Sequence, residues 1–431
     1  MSYLGDIERN SAVPVPASGR SGLLRFTTAG SVDDGKSTLI GRLLHDTRQI
    51  FEDQLAAVER ASHKRGFAGL DLSLLTDGLE AEREQGITID VAYRYFSTSR
   101  RKFIIADTPG HVQYTRNMAT GASNAEVAVI LADATKGLLE QAKRHLYITH
   151  LLGIRHVIVA VNKMDLVDYG REALASVRNA FEQFANRLDG DKPHFYFVPI
   201  SALKGDMVVE RGDRMAWHDG PTFLELLESI EPPKVGASRP FRLPVQLVQK
   251  SAAQGRMYLG LIASGSVSLG QEVIVLPSGR TTTVKSIHRW PGNCTTAYAG
   301  ESIALSLADE IDISRGDQIA GVDQPPCIAR SLDATLVWFS VDPLIVNRRY
   351  LLKHTSRTVT AKVVSVVDIV DVGALEKRVP VASIGVNDIA HVVLALTQPI
   401  FCDPYSEDRA TGAFILIDEV SNQTVAAGMI A

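Results

Sequence analysis

The chain has 431 residues, with 45 Lys and Arg against 49 Asp and Glu, and three cysteines. That near-neutral balance excludes a general electrostatic attraction to nucleic acid or to an anionic membrane, so contact with either would have to be local. No run reaches the ~18 uninterrupted apolar residues of a membrane helix, and a prior of about 150 residues per domain predicts roughly three domains.

Residues 1–22 mix Asp6, Glu8 and Arg9 with Pro, Ser and Gly and contain no apolar signal core, which predicts a mobile tail on a soluble protein, and the three widely spaced cysteines fit a reducing cytoplasm. Leu23 to Ala29 reads as a buried strand and Lys36 to Leu44 has helical spacing. Between them stands Gly30-Ser31-Val32-Asp33-Asp34-Gly35-Lys36-Ser37, followed by Thr38, a complete phosphate-binding loop in the strand-to-helix context that the motif requires. Gly30 and Gly35 let the backbone curl so that its N–H groups face a phosphate. Lys36 reaches the β- and γ-phosphates, the Ser37 hydroxyl is a Mg²⁺ ligand, and the helix adds its positive end.

A charged stretch, residues 77–90, follows. Its Glu80 to Gln85 part reads as a solvated helical face, whereas Thr88 is the natural second Mg²⁺ ligand of a loop that orders around γ-phosphate and metal. The strand FIIA (103–106) then runs into Asp107-Thr108-Pro109-Gly110. Asp107 is placed to hold Mg²⁺ through water, and Gly110, lacking a side chain, lets its N–H approach the γ-phosphate and withdraw when that phosphate is lost. His111 is next, where a neutral imidazole can orient the attacking water, because phosphoryl transfer needs positioning more than strong base chemistry.

The strand HVIVAV (156–161) leads into Asn162-Lys163-Met164-Asp165, a base reader. A carboxylate at Asp165 accepts from N1–H and the 2-amino group of guanine, whereas adenine offers an acceptor at N1 and no 2-amino group, so GTP is expected to be strongly preferred over ATP. Asn162 bridges the base to the phosphate loop, and the Lys163 stem covers the purine face. Ser201-Ala202-Leu203 completes the pocket with a backbone N–H to the guanine oxygen, or serves as a helix N-cap, or both.

Short apolar runs alternating with helical segments from Leu23 to Glu231 predict a doubly wound, mostly parallel sheet of α/β class over 23–231, which the nucleotide motifs make a P-loop GTPase domain. The Pro-rich stretch 231–240 breaks both patterns. Beyond it, short β-branched runs separated by glycine turns predict two antiparallel β-barrels, 240–326 and 331–431, divided at Asp323-Gln324-Pro325-Pro326. Cys294, Cys327 and Cys402 match no metal or redox spacing and read as small packing residues.

These motifs, followed by two barrels, resemble the translation-factor class of GTPases, which contains elongation factor Tu. Within that class, GSVDDGKSTLIGRLL (30–44), DGLEAEREQGITIDVAYRYF (77–96) and KFIIADTPGHVQYTRNMATGAS (102–123) resemble the large GTPase subunit, CysN type, of bacterial heterodimeric sulfate adenylyltransferase. The likeness runs from about residue 22 to the C-terminus and includes DEIDISRGD (309–317) and TVAAGM (424–429). Val112, where many relatives carry Glu, is a departure beside the water site.

The resemblance implies GTP hydrolysis that drives ATP and sulfate to adenosine 5′-phosphosulfate and pyrophosphate. It also implies GTP/GDP and Mg²⁺ as cofactors, and adenylyl transfer on a small catalytic partner of the CysD type. In agreement, the chain has no Ser-Gly-Gly-x-Asp-Ser pyrophosphate loop and no second Gly-Lys-Ser/Thr. Two other readings compete. A translation factor carrying RNA to the ribosome would want cationic barrels, yet 331–431 holds 8 Lys and Arg against 11 Asp and Glu. Its best basic patch is Arg348, Arg349, Lys353, His354, Arg357 and Lys362. A regulatory GTPase with a partner unrelated to sulfur is the third.

Overall fold

The computed structural model describes residues 22–64, 70–75, 91–108, 115–231, 239–251, 255–379 and 384–431. Thr88, Pro109, Gly110 and His111, each a site residue expected from the sequence, lie outside the described residues.

The first 231 residues build one six-stranded sheet from β1 (Leu23–Ala29), β2 (Ala92–Ser97), β3 (Lys102–Asp107), β4 (Val127–Asp133), β5 (His156–Asn162) and β6 (His194–Pro199). Their order is β2-β3-β1-β4-β5-β6, and only β2 runs antiparallel to its neighbour. The sequence dictates this. β4 and nearly all of β5 are continuous apolar runs buried on both faces, as inner parallel strands covered by helices must be. The α-helices described around this sheet are α1 (Lys36–Asp46), α2 (Glu52–Lys64), α3 (Thr115–Ser123), α4 (Glu140–Leu151), α5 (Arg171–Asn186) and α6 (Phe223–Ser229). On α5, Leu174, Val177, Phe181, Phe184 and Ala185 fall on one helical face and are the buried ones. None of the described helices is long and apolar enough to cross a membrane.

Strand register brings distant motifs to one edge. Thr28 lies opposite Asp107, Ala29 opposite Ile130, Asp133 opposite Asn162, and Val161 opposite Pro199. The loop after β1, Asp107, Asn162 and Ser201 therefore emerge together at the carboxyl ends of the parallel strands. Ligands bind at that edge of doubly wound sheets, where strand order reverses.

Two antiparallel barrels follow. In the first, the strand Arg242–Pro244 pairs with Gln318–Gly321, and the wall closes where Arg242 N–H donates to Ser264 O (3.0 Å) and Ala263 N–H to Arg242 O (2.9 Å). In the second, Arg349–His354 pairs with both Arg357–Asp371 and Ala413–Asp418 and so closes a seven-stranded sheet. The six-residue basic patch expected here is not one surface. His354 is buried with Nε2 on Thr411 O, Arg357 reaches Asp317 and stacks on Phe401, and Arg348 pairs with Asp418. Arg349, Lys353 and Lys362 remain exposed at alternate positions, as on any solvated barrel wall.

The barrels are joined by a buried ion pair. Arg242, 2% exposed, donates Nε–H to Asp403 Oδ2 (3.0 Å) and Nη2–H to Oδ1 (2.8 Å), while Thr411 Oγ1 donates to Oδ2 (2.7 Å). Burial alone would raise the Asp403 carboxyl, but the hydrogen bonds from Arg242 and Thr411 hold it below the usual carboxylate range. Removing one partner would leave the other largely buried and uncompensated, at a cost of about 3–5 kcal/mol. The third domain also docks on the first: Val337, Val370, Val372, Ile389 and Met429 join the core around the six-stranded sheet. Arg144 of α4 donates to Asn387 O (2.9 Å), and the Tyr405 hydroxyl donates to Leu152 O (3.3 Å).

Candidate functional site

The turn between β1 and α1 is held from below. Ser31 N–H donates to Asp34 Oδ2 (2.6 Å), and Gly30 N–H donates to Nδ1 of His145 on α4 (3.1 Å). Gly35 has φ 91°, and a Cβ there would stand 2.4 Å from the Asn162 amide nitrogen, so only glycine lets the loop pass. Lys36 is buried (8% exposed) and donates Nζ–H to Gly30 O (3.0 Å) and Ser31 O (2.8 Å). An ammonium has three donors, so one remains for a ligand in the cradle. Burial depresses the Lys36 pKa, with Asp34, Asp107 and Asp33 opposing, and an anion bound in the loop would offset that cost. The first N–H groups of α1 are left without a capping side chain, a ready anion site.

Asp107 is buried, and Oδ1 accepts from Thr28 Oγ1 (3.1 Å). Its carboxylate oxygens and the Ser37 hydroxyl are hard donors, the chemical type that suits Mg²⁺ beside phosphate. Val32 and Asp33 lie exposed at the tip, and Ser37 and Thr38 are half-buried in the first turn of α1. Two expected contact residues turn inward instead. The Thr108 hydroxyl donates to Thr28 O (2.5 Å), and the Ser31 side chain is buried, so neither side chain lines an open pocket.

Asn162 joins three segments. Its Nδ2–H donates to Asp34 O (2.8 Å), and Oδ1 accepts from Ala202 N–H (2.9 Å). Asp165 is fixed by Ser201, whose hydroxyl donates to Oδ1 (2.6 Å). Lys163, in left-handed backbone conformation, sends Nζ–H to Asp133 Oδ2 (2.9 Å), which extends its stem along the sheet edge. Leu203 stays 47% exposed, free to wall the pocket. Met164, expected among the contact residues, is fully buried in the core and contributes packing.

Residues 21–233 match the family model for the elongation factor Tu GTP binding domain, and 331–431 match that for the GTP-eEF1A C-terminal domain-like family. The chain is 50% identical over 410 residues to the sulfate adenylyltransferase subunit 1 of Alteromonas mediterranea, covering 95% of this chain and 86% of that protein. The chain belongs to the sulfate adenylyltransferase subunit 1 family. Two solved structures of Sup35, one complexed with GDP and one with GMPPNP, are also similar: each is 22% identical with a TM-score of 0.44, over 95% of this chain and 94% of the Sup35 chain.

In this member of the subunit 1 family, three supporting residues escaped the sequence reading. Asp133 ends β4 and accepts from the Thr135 N–H (2.8 Å) and hydroxyl (2.6 Å) as well as Lys163. Burial raises its carboxyl, but those donors outweigh it and the net shift is downward. Its signal was available: a carboxylate at the end of a buried strand, as at Asp107. Arg42 on α1 donates Nε–H to Ala202 O (3.2 Å) and Nη2–H to Leu203 O (2.7 Å), which ties the base-side loop to the phosphate-side helix.

His145 is the third. Burial, with the charges of Lys36 and Arg144, lowers its pKa to about 3, so it stays neutral, and Gly30 N–H donating to Nδ1 puts its proton on Nε2. Nε2 faces the Gln141 amide at 3.1 Å, so the oxygen of that amide must be turned toward it. Because the unfolded histidine binds a proton near pH 6.5 and the folded one only near 3, the stability it contributes is complete above 6.5 and falls as pH drops toward 3. His145→Gln retains an acceptor for Gly30. Urea unfolding is expected to show this variant losing about 2 kcal/mol less than the parent between about pH 7.5 and about pH 5. Equal slopes for the two proteins would contradict it.

Proposed function

We propose that the chain is the GTP-hydrolysing subunit of a cytoplasmic heterodimeric sulfate adenylyltransferase. In this reading GTP hydrolysis drives ATP and sulfate to adenosine 5′-phosphosulfate and pyrophosphate, and adenylyl transfer takes place on a small partner of the CysD type. The observation that carries the reading is the 50% identity to a sulfate adenylyltransferase subunit 1 along 95% of the chain, combined with a phosphate loop and a base reader tied together by Asn162.

The roles follow from the chemistry. Gly30 to Thr38 cradle the triphosphate, and Lys36 neutralises its β- and γ-oxygens. Ser37, Asp107 and Thr88 hold Mg²⁺, which supplies positive charge to the phosphates. Gly110 senses the γ-phosphate, and His111 orients the attacking water. Asp165 reads the guanine edge, Lys163 covers its face, and Ser201, Ala202 and Leu203 close the pocket. The switch segments pass the nucleotide state to the barrel pair at 240–326 and 331–431, and the GTP and GDP forms then bind the partner with different affinity, without which no coupling is possible.

The test is sulfate-dependent pyrophosphate release from ATP by this chain mixed with the small subunit from the same source. Release is expected to rise with GTP over GDP or no nucleotide, and the rise to vanish in His111→Ala. Pyrophosphate formed equally with and without GTP would refute the coupling.

A further inference from the structure

Cys327 opens the first strand of the third domain, and Cys402 closes the strand Ile389–Cys402 beside it. The two residues are direct partners across the antiparallel ladder. Such partners project to the same face with Cα atoms about 4.5–5.5 Å apart, inside the roughly 4.4–6.8 Å that a disulfide spans. Both cysteines are free thiols, and the Cys327 thiol is near enough to act electrostatically on that of Cys402. Cys402 is 2% exposed and belongs to the barrel core, whereas Cys327 is exposed to solvent. The packing role expected from sequence fits Cys402 but not Cys327.

We propose that Cys327 and Cys402 form a redox-active dithiol that closes to an intramolecular disulfide by exchange with a low-molecular-weight disulfide. The exposed Cys327 Sγ, as thiolate, attacks one sulfur of the small disulfide. That S–S bond breaks, and the departing thiolate takes up a proton. Cys402 then gives up its proton and attacks Cys327 Sγ in the mixed disulfide, expelling the second small thiol. The two cysteines are oxidised, and one small disulfide is reduced to two thiols.

The order follows from access. Burial, together with the neighbouring Cys327 and Asp403, pushes the Cys402 thiol up to about 12, so it is the resolving partner and its attack the slower step. The location gives the bond a structural consequence. Cys327 is the first residue after the 323–326 linker, and Cys402 precedes Asp403, which holds Arg242 of the other barrel. The disulfide ties the chain where it enters the third domain to the strand end that carries the inter-barrel ion pair.

The test treats the full-length chain with oxidised glutathione, quenches in acid, alkylates in denaturant with a maleimide, and reads intact mass and peptide maps. The parent is expected to lose two hydrogens, to leave only Cys294 open to alkylation, and to yield a Cys327–Cys402 cross-linked peptide that a reductant reverses. Cys294→Ser should behave the same way. Cys327→Ser should form no disulfide, and Cys402→Ala should accumulate the glutathione adduct on Cys327. Three alkylated cysteines after oxidation, a lasting adduct on Cys327 with Cys402 still alkylated, or a bond involving Cys294 would each overturn the proposal.

Discussion

Asp165→Asn is expected to turn a site selective for guanine into one selective for xanthine. The Asp165 carboxylate is acceptor-only, and guanine presents two donors, N1–H and the 2-amino group. An asparagine in the same place keeps one acceptor and gains one donor. Xanthine, which has N1–H but a carbonyl at position 2, matches that pattern. The Ser201 hydroxyl, now donating to Asp165 Oδ1 at 2.6 Å, can go on donating to the retained oxygen, so the side chain keeps its orientation. Mismatched buried donors and acceptors discriminate by ~10⁴-fold or more. GTP affinity in the variant should therefore fall by about that factor while XTP binds and is hydrolysed. Competition binding with GTP, XTP and ATP reads this directly, and a variant that still prefers GTP would remove Asp165 from the base-reading role.

The second large effect is Lys36→Ala. The ammonium lies under the loop, bonded to Gly30 O and Ser31 O, and so ties the start of α1 back to the start of the phosphate turn. Loss of one preorganised donor to developing charge costs ~10²–10³-fold in rate, and Lys36 also supplies ground-state charge. GTP hydrolysis in the variant should drop by at least ~10²-fold. The base-reading residues are untouched, so the preference for guanine over adenine should survive in whatever binding remains. Single-turnover phosphate release, with thermal unfolding to show that the variant folds, separates the two statements. Hydrolysis at the parent rate would refute the role of Lys36.

The sequence carried the site better than its supports. That the motifs at 30–37, 107, 162–165 and 201–203 stand at one sheet edge was legible because each lies at short, fixed spacing next to a strand end. The sheet was legible for the same reason: β4 and β5 are apolar on both faces, which only a covered inner strand tolerates. Asp133 carried a signal that was passed over, whereas His145 and Arg42 were not legible. Each acts across a long gap in sequence, His145 on Gly30 and Arg42 on Ala202, and a lone histidine or arginine on a helix carries no local signature of its partner.

The inward turns of Thr108, Ser31 and Met164 were hidden for a related reason. A motif fixes which residues stand at a loop but not which of them the backbone points into the core. The basic patch on the last barrel dissolved because strand alternation itself puts His354 on the inward face with Tyr350 and Leu352, and Arg357 on that of Val359 and Ala361, while Arg349, Lys353 and Lys362 point outward. Cys327 and Cys402 are adjacent only through strand register, which pairs positions that no local motif connects.

The proposed function requires that nucleotide turnover on this chain be coupled to adenylyl transfer on a partner. Its most direct measurement is phosphate release from GTP by the two subunits together, with ATP alone, sulfate alone, both, or neither, while adenosine 5′-phosphosulfate is quantified in the same reactions. GTP hydrolysis is expected to accelerate only when ATP and sulfate are both present, and the two products to rise together. GTP turnover indifferent to ATP and sulfate, with adenosine 5′-phosphosulfate formed to the same extent in the absence of GTP, would contradict it.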